Sequence, residues 1–291
     1  MELVPSIYLI KEAYENAYAI PSFCVWNGET IELVLRVAEK MKAPVMLMAG
    51  PGEFFWHRPK WLLEMAKIIG EDYNCRVAFH LDHGDSPELA EESIKAGFTS
   101  VMLDYSAQSY EVNVAGMKKV VAMARPYNVT VEGEIGHVGK VNINAIEGES
   151  DSSLTDPETL SRFCPETGID IVAVSIGNAH GNYPTLPRFD FTLLETLKKS
   201  ANIPLVLHGG SGTPHDDIRR AVSLGVAKIN VATEFISAIK NACLAAWQND
   251  VWLPSTLPVA MEAGMEVVEK WIKLTRCAGK AITCKNGENT L

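Results

Sequence analysis

The sequence predicts a (β/α)₈ barrel, the TIM-barrel class of α/β folds, with an appended C-terminal helical arm. Three observations point there. Short apolar runs of strand type alternate with segments of helical spacing eight times over. Several of those runs are apolar throughout, as strands buried on both faces of a parallel sheet must be. Nothing between them reads as an antiparallel hairpin. A soft prior of about 150 residues per domain would split a chain of this length in two, but no Gly/Ser/Pro-rich linker marks a break. The reading is therefore one domain over 1–291, with the barrel at about 17–250 and the arm at about 251–291.

Tyr18 to Phe23 supplies the first strand, and Glu29 to Lys42 a helix with apolar Ile31, Val34, Leu35 and Ala38 at helical spacing. Val45 to Ala49 is the second strand, Trp61 to Ile69 helical, and Val77 to Phe79 the third strand. Pro87 to Ala96, entered through Ser86, is helical and closes at Gly97. Ser100 to Asp104 is the fourth strand, followed by a helix from Glu111 to Arg125 that Pro126 stops. Val129 to Glu134 makes the fifth strand, and a long polar loop follows from Gly136 to Ser153. Asp156-Pro157 opens a helix ending near Gly168, before the sixth strand, Asp170 to Ser175. Asp190 to Lys199 is helical, and Pro204 to His208 is the seventh strand. Pro214 to Leu224 is helical, Val226 to Val231 the eighth strand, and Glu234 to Trp247 the eighth helix. The arm reads as a helix over Pro258 to Arg276, with Met261, Met265, Val268 and Ile272 on one face.

The net charge of −10 argues against nucleic acid as a partner, because phosphate backbones want a basic surface. No apolar stretch approaches the roughly 20 residues of a membrane span, and no signal peptide is visible, so the expectation is a cytoplasmic protein with no membrane partner. The 6 cysteines are scattered without a C-x-x-C pair, as reduced thiols would be.

The stretch Phe79-His80-Leu81-Asp82-His83-Gly84 lies where a strand hands over to a helix. A carboxylate beside an imidazole there suits metal chemistry, one group binding an ion while the other moves a proton. Active sites of such barrels form at the C-terminal strand ends. His83, His180 and His208 all fall there, and three neutral imidazoles with an open position are a catalytic zinc arrangement. Asp104 and Glu134 reach the same mouth. His80 shares the strand face of Asp82 and supports the site from behind. His57, His137 and His215 lack that placement and read as surface residues. The seventh and eighth strand ends are Gly- and amide-rich, His208-Gly209-Gly210-Ser211-Gly212 and Asn230-Val231-Ala232-Thr233. Their backbone N–H groups and the following helix N-terminus suit a phosphate. A metal triad beside a phosphate cradle and an acid–base carboxylate points to aldol cleavage.

The segments HLDHG (80–84), AGFTSVMLD (96–104), VEGEIG (131–136), TGID (167–170), NAHGNY (178–183), PLVLHGGSG (204–212) and KINVATE (228–234) resemble the class II, metal-dependent ketose-bisphosphate aldolases. Within them the likeness is to the fructose- and tagatose-bisphosphate branch. The resemblance implies that His83, His180 and His208 bind Zn²⁺, other divalent metals being alternatives and a monovalent cation a further candidate. It implies that Asp82 exchanges the proton of the substrate's C4 hydroxyl. Gly181, Gly209, Gly210, Ser211, Asn230, Val231, Ala232 and Thr233 would hold the dihydroxyacetone-phosphate half of a phosphorylated ketose. Asp104 and Glu134 match a secondary metal position, with a structural role as the alternative. Ala232 stands where fructose-specific members carry Asp, which favours the tagatose-like pattern. A homodimer or homotetramer is implied as well.

Three departures from the family stand out. The mobile loop after the fifth strand usually carries an acid that moves the proton on the enediolate carbon; here it reads Gly136-His137-Val138-Gly139-Lys140-Val141-Asn142. Glu147 and Glu149 are the candidate substitutes. The second phosphate is usually held by a Ser or Thr after the second strand and by an Arg in a neighbouring subunit's arm. Gly50 and Pro254 occupy those places, removing charge-assisted bonds worth roughly 1.5–3 kcal/mol each. Aromatic Trp26, Phe54, Phe55 and Trp56 stand nearby, and Arg58 and Lys60 are candidates for a replacement cation. The expectation is a ketose 1-phosphate or bisphosphate aldolase whose aldehyde product lacks the usual phosphate. Two alternatives remain open: a Schiff-base enzyme using Lys228, and a non-catalytic metal- and phosphate-binding relative.

Overall fold

The computed structural model describes residues 1–55, 57–139, 152–181, 187–248 and 252–281. Its strands are β1 (Glu2–Leu3), β2 (Ile20–Cys24), β3 (Val45–Ala49), β4 (Arg76–Gly84), β5 (Ser100–Leu103), β6 (Thr130–Ile135), β7 (Ile171–Val174), β8 (Leu205–Leu207) and β9 (Val226–Val231). From β2 to β9 each strand pairs in parallel with the next, and β9 returns to β2, so eight strands close into a barrel. Every residue of β2, β3, β6 and β9 is buried, as a parallel sheet covered on one face by helices and filled by side chains on the other requires.

The outer helices are α2 (Gly28–Met41), α3 (Pro59–Gly70), α4 (Pro87–Ala96), α5 (Tyr110–Ala124), α6 (Pro157–Thr167), α7 (Phe191–Ala201), α8 (His215–Ser223) and α9 (Thr233–Trp247). Local sequence chemistry sets their starts. Asn27 and Thr30 form a reciprocal capping box on α2, and the side chains of Ser86, Ser109, Asp156 and Asp190 each accept an orphan N–H at the head of a helix. Pro59, Pro87 and Pro157 sit in first turns, where a missing N–H costs nothing.

Two features depart from the expected order. Ahead of the barrel, β1 pairs with the start of β4, and α1 (Ser6–Glu15) crosses the N-terminal strand ends. Ser6 Oγ donates to Ser100 Oγ and the Ile7 N–H to Thr130 Oγ1, both 3.0 Å, so α1 seals that end. Its buried residues, Ser6, Leu9, Ile10 and Ala13, repeat at helical spacing, a signal present in the sequence. At the other terminus α10 runs from Leu253 to Leu274, starting five residues before the expected Pro258 because Pro254 suits the first turn. It lies in the seam between α2 and α9: a side chain on Gly264 would press on Ile239 and Leu33. Its buried face is Ala260, Gly264, Val267, Val268, Trp271 and Ile272, with Met261 and Met265 only half covered.

Candidate active site

Asp82 and His83 are neighbours on β4, and a regular strand would send them to opposite faces. The register with β5 shifts here: Leu81 pairs with Val101 and Gly84 with Leu103, so two residues oppose Met102 alone. His83 takes up the bulge with a left-handed backbone, φ +45°, a strained conformation for a β-carbon-bearing residue. The next position admits only glycine, since a Cβ on Gly84 would meet the Met102 oxygen at 2.5 Å. Both Asp82 and His83 can thereby face the mouth.

The ligand atoms of His83, His180 and His208, brought from the ends of β4, β7 and β8, lie within 4.8 Å of one another. His83 Nδ1 donates to Asp104 Oδ2 at 2.7 Å, which turns Nε2 inward. His208 is fixed the other way round: Nε2 donates to Glu132 Oε1 at 2.8 Å and Nδ1 stands 2.9 Å from His83 Nε2. The backbone N–H of His180 donates to the Gly139 oxygen, and Asn178 ties its segment to the His208 carbonyl at 2.9 Å. A second group of the same kind joins His83 to Asp104 and Glu134.

The electrostatics suit a cation. Glu134 is fully buried; burial first, then the charge of Asp104, raises its pKa to about 8. Among the described residues its Oε2 accepts no hydrogen bond, and it lies 3.5 Å from His208 Nδ1, a buried acceptor that a bound ion would satisfy. Burial, then the charge of His83, pushes the His208 pKa well down, which keeps it neutral as a ligand must be. Burial works the same way at His83, but Asp82, Asp104 and Glu134 together override it and lift its pKa to about 10. Three imidazoles with two carboxylates beside them fit a borderline metal such as zinc.

Beneath this group lies a buried pair. Lys228 Nζ donates to Glu132 Oε2 at 2.8 Å and stands 3.3 Å from His80 Nε2, while His80 Nδ1 meets Ser100 Oγ at 2.8 Å. All four residues are inaccessible to solvent. His80 thus lies beneath the group, against Lys228 and Ser100, and Lys228 is engaged by Glu132 inside the barrel. Asp82 is held from β9, Asn230 Nδ2 donating to its Oδ1 at 2.7 Å.

Fructose-bisphosphate aldolase class-II is the family whose model matches, over residues 5–280. The chain belongs to the class II fructose-bisphosphate aldolase family. Among solved structures it is similar to the YdjI aldolase from Escherichia coli K12, at 32% identity and a TM-score of 0.86 over 96% of this chain and 99% of that one. Fructose-bisphosphate aldolase (Fba) from Campylobacter jejuni shares the fold at 22% identity and a TM-score of 0.80, with 96% and 97% covered. As an aldolase, the chain is a carbon–carbon lyase.

The aldolase's Gly-rich strand ends do more than turn the chain. A Cβ on Gly209, φ +66°, would collide with the Ala179 carbonyl, and one on Gly210 would meet Ile229 at 2.8 Å. Gly181 is also left-handed, φ +107°. Ser211 Oγ accepts the Glu234 N–H at 3.1 Å and so caps α9; Val231 ends β9, Ala232 precedes the helix and Thr233 begins it. These residues follow, or end, the neighbouring strands β7, β8 and β9. Glu147 and Glu149 lie outside the described residues, as do Lys140, Asn182 and Tyr183.

Sequence reasoning singled out neither Glu132, which holds His208, nor Ser106, and it set His137 apart from the site. His137, read as a surface residue, is partly buried, and Ser106 Oγ donates to Asp104 Oδ1 while meeting His137 Nδ1, both at 2.7 Å. A hydrogen-bonded chain thus runs from His83 through Asp104 and Ser106 to the root of the long loop. Phe54 and Trp26 pack against Phe98 and Phe235, the ordinary fate of aromatics. Arg58 and Lys60 face the groove between α3 and α4 together with Glu88 and Glu91.

Proposed function

We propose that this aldolase is zinc-dependent and cleaves a ketose 1-phosphate, or a tagatose- or fructose-type ketose bisphosphate, into dihydroxyacetone phosphate and an aldehyde that lacks the usual phosphate. The convergence of three imidazoles beside a carboxylate held by Asn230 carries the reading. Zinc held by His83, His180 and His208 supplies Lewis-acid polarisation of a ketone oxygen. Asp82 takes the C4 hydroxyl proton as the C3–C4 bond breaks and the electron pair passes to C3. Asn230 fixes Oδ1 of that carboxylate, which leaves Oδ2 for the hydroxyl. Glu147 and Glu149 are the candidate acids for returning a proton to C3. Gly181, Gly209, Gly210, Ser211 and Asn230 to Thr233 hold the ketose 1-phosphate through backbone N–H groups; the Ser211 hydroxyl, accepting from α9, keeps its own proton to donate. Asp104 orients His83, and Asp104 and Glu134 are the candidate secondary metal position.

Ion pairing of Lys228 with Glu132 favours the metal route over a Schiff base. The protein is taken as one domain and as a homo-oligomer, supported by exposed Leu244, Trp247, Trp252, Leu253 and Val259 along α9 and α10. Among the described residues no helix is long and apolar enough to cross a membrane; Cys24, Cys75, Cys164, Cys243 and Cys277 are free thiols, as suits a cytoplasmic setting. Dihydroxyacetone phosphate release from the 1-phosphates and 1,6-bisphosphates of fructose and tagatose, before and after chelation, tests the proposal. Chelator-sensitive cleavage is expected; cleavage that survives chelation and is trapped by borohydride would replace it with Schiff-base chemistry.

A further inference from the structure

Beyond Asp82 the wall of the mouth is built by the turn after β3, and that turn carries a carboxylate. The Gly50 N–H donates to Glu53 Oε2 at 2.8 Å, and the Gly50 carbonyl accepts the N–H groups of Glu53 and Phe54 at 3.1 and 3.2 Å. The Glu53 side chain is thus folded back over its own turn and held there. The turn is also anchored: Phe54 packs edge-on against Phe98, 6.2 Å between centroids, and Phe98 against Phe79 at 4.8 Å. No side chain fits at Gly50, where a Cβ would collide with the Asp82 backbone oxygen while standing 3.6 Å from Glu53 Oε2. The Glu53 carboxylate and the Asp82 peptide therefore flank the same point.

Cys24, at the end of β2, looks onto both acids. Its thiol pKa is pushed well up by burial first, then by the charges of Glu53 and Asp82 and a hydrogen bond to Glu53. The adjacent ends of β2, β3 and β4 present a thiol and two carboxylates, one of which Asn230 restrains. The candidate phosphate cradle lies at the ends of β8 and β9, so a ketose whose C4 hydroxyl reaches Asp82 extends its remaining carbons toward β3 and Glu53.

We infer that Glu53 determines the specificity of the aldehyde half: it accepts hydrogen bonds from a polyhydroxylated, uncharged terminus and rejects a phosphorylated one. This rests on the aldolase reading above. A carboxylate is an acceptor only, so it complements hydroxyl groups. Against a phosphate dianion it is a like charge held in place by its turn, the repulsive element that sharp discrimination requires. The Gly50 N–H, the backbone donor at that point, is already consumed by the same side chain.

The test compares kcat/KM of the zinc-loaded protein for fructose and tagatose 1-phosphates with their 1,6-bisphosphates, in wild type, E53Q and E53S. The wild type is expected to favour the 1-phosphates by at least about tenfold, and E53Q to shrink that preference by about tenfold, chiefly through KM for the bisphosphates. Because the readout is a ratio within one protein, a loss of folded fraction cancels. If neither variant folds, the wild-type ratio at low and high salt decides, since charge rejection must weaken with screening. A wild type that prefers bisphosphates, or a ratio indifferent to salt and to E53Q, overturns the proposal. Solvent deuterium exchange into dihydroxyacetone phosphate by the wild type, which needs no aldehyde, separates the two readings. Exchange with an unaltered preference defeats Glu53 alone, whereas no exchange removes the aldolase reading and this proposal with it.

Discussion

His83 Nε2 and His208 Nδ1 face each other across 2.9 Å, each on a ring whose other nitrogen is committed to a carboxylate. Two bare lone pairs cannot sit so close; a positive charge has to lie between them, either a proton or a metal ion.

In the metal-free protein that charge is a proton on His83, with a pKa lifted from 6.5 to about 10. The folded state then holds a proton that the unfolded chain has released, so this stabilisation is complete below about pH 6.5 and lost as pH rises through about 10. Glu134, raised from 4.5 to about 8, acts with the same sign over its own window. Calorimetry of chelator-stripped protein should show Tm falling steadily from pH 6 to 9.5. Zinc affinity should rise over the same range, because binding displaces the proton. A flat Tm profile would contradict this.

Glu132 links His208 to Lys228 in the closed interior of the barrel. Glu132→Gln should weaken zinc binding by about 10–100-fold in chelator competition, the usual effect of losing a ligand's outer partner. Lys228→Met strands a buried carboxylate, and urea unfolding should show a loss of about 3–5 kcal/mol. The double variant should recover part of that loss, as removal of both charges does.

Asp82→Ala should abolish cleavage while zinc content stays at the wild-type level, because the proposed mechanism gives the carboxylate the proton and the imidazoles the ion. Asn230→Ala should lower kcat by about 10–100-fold, less than the full worth of a general base, since it only releases the orientation of Asp82. Retained turnover in Asp82→Ala would sink the assigned role.

Gly50→Ser restores the hydroxyl that the family uses, yet it should not restore a phosphate site. The new Cβ collides with the Asp82 backbone, so stability should drop by about 1–3 kcal/mol. Cleavage of every substrate should fall alike, as measured by urea unfolding and by kcat on the 1-phosphates.

The barrel was legible because its strands are uninterrupted apolar runs such as Val45 to Ala49, each closed by an unambiguous helix signal. The histidines were legible because strand ends in this fold share one rim, so three distant positions could be placed together by counting. What could not be read was geometry that breaks a period. Alternation on β4 would separate Asp82 from His83, and only the bulge with its left-handed His83 reunites them. His137 was missed because its connection runs through Ser106, a residue with no metal or acid–base chemistry of its own. The opening helix is absent from the expected elements although Ser6, Leu9, Ile10 and Ala13 repeat at helical spacing.

The hydrogen bonds from Ser6 and Ile7 tie α1 across the end of the barrel away from the histidines. Under the proposed cleavage, the sugar and both of its fragments would share the rim at the opposite end of the barrel. Dihydroxyacetone phosphate supplied alone should then compete with the incoming sugar for free protein.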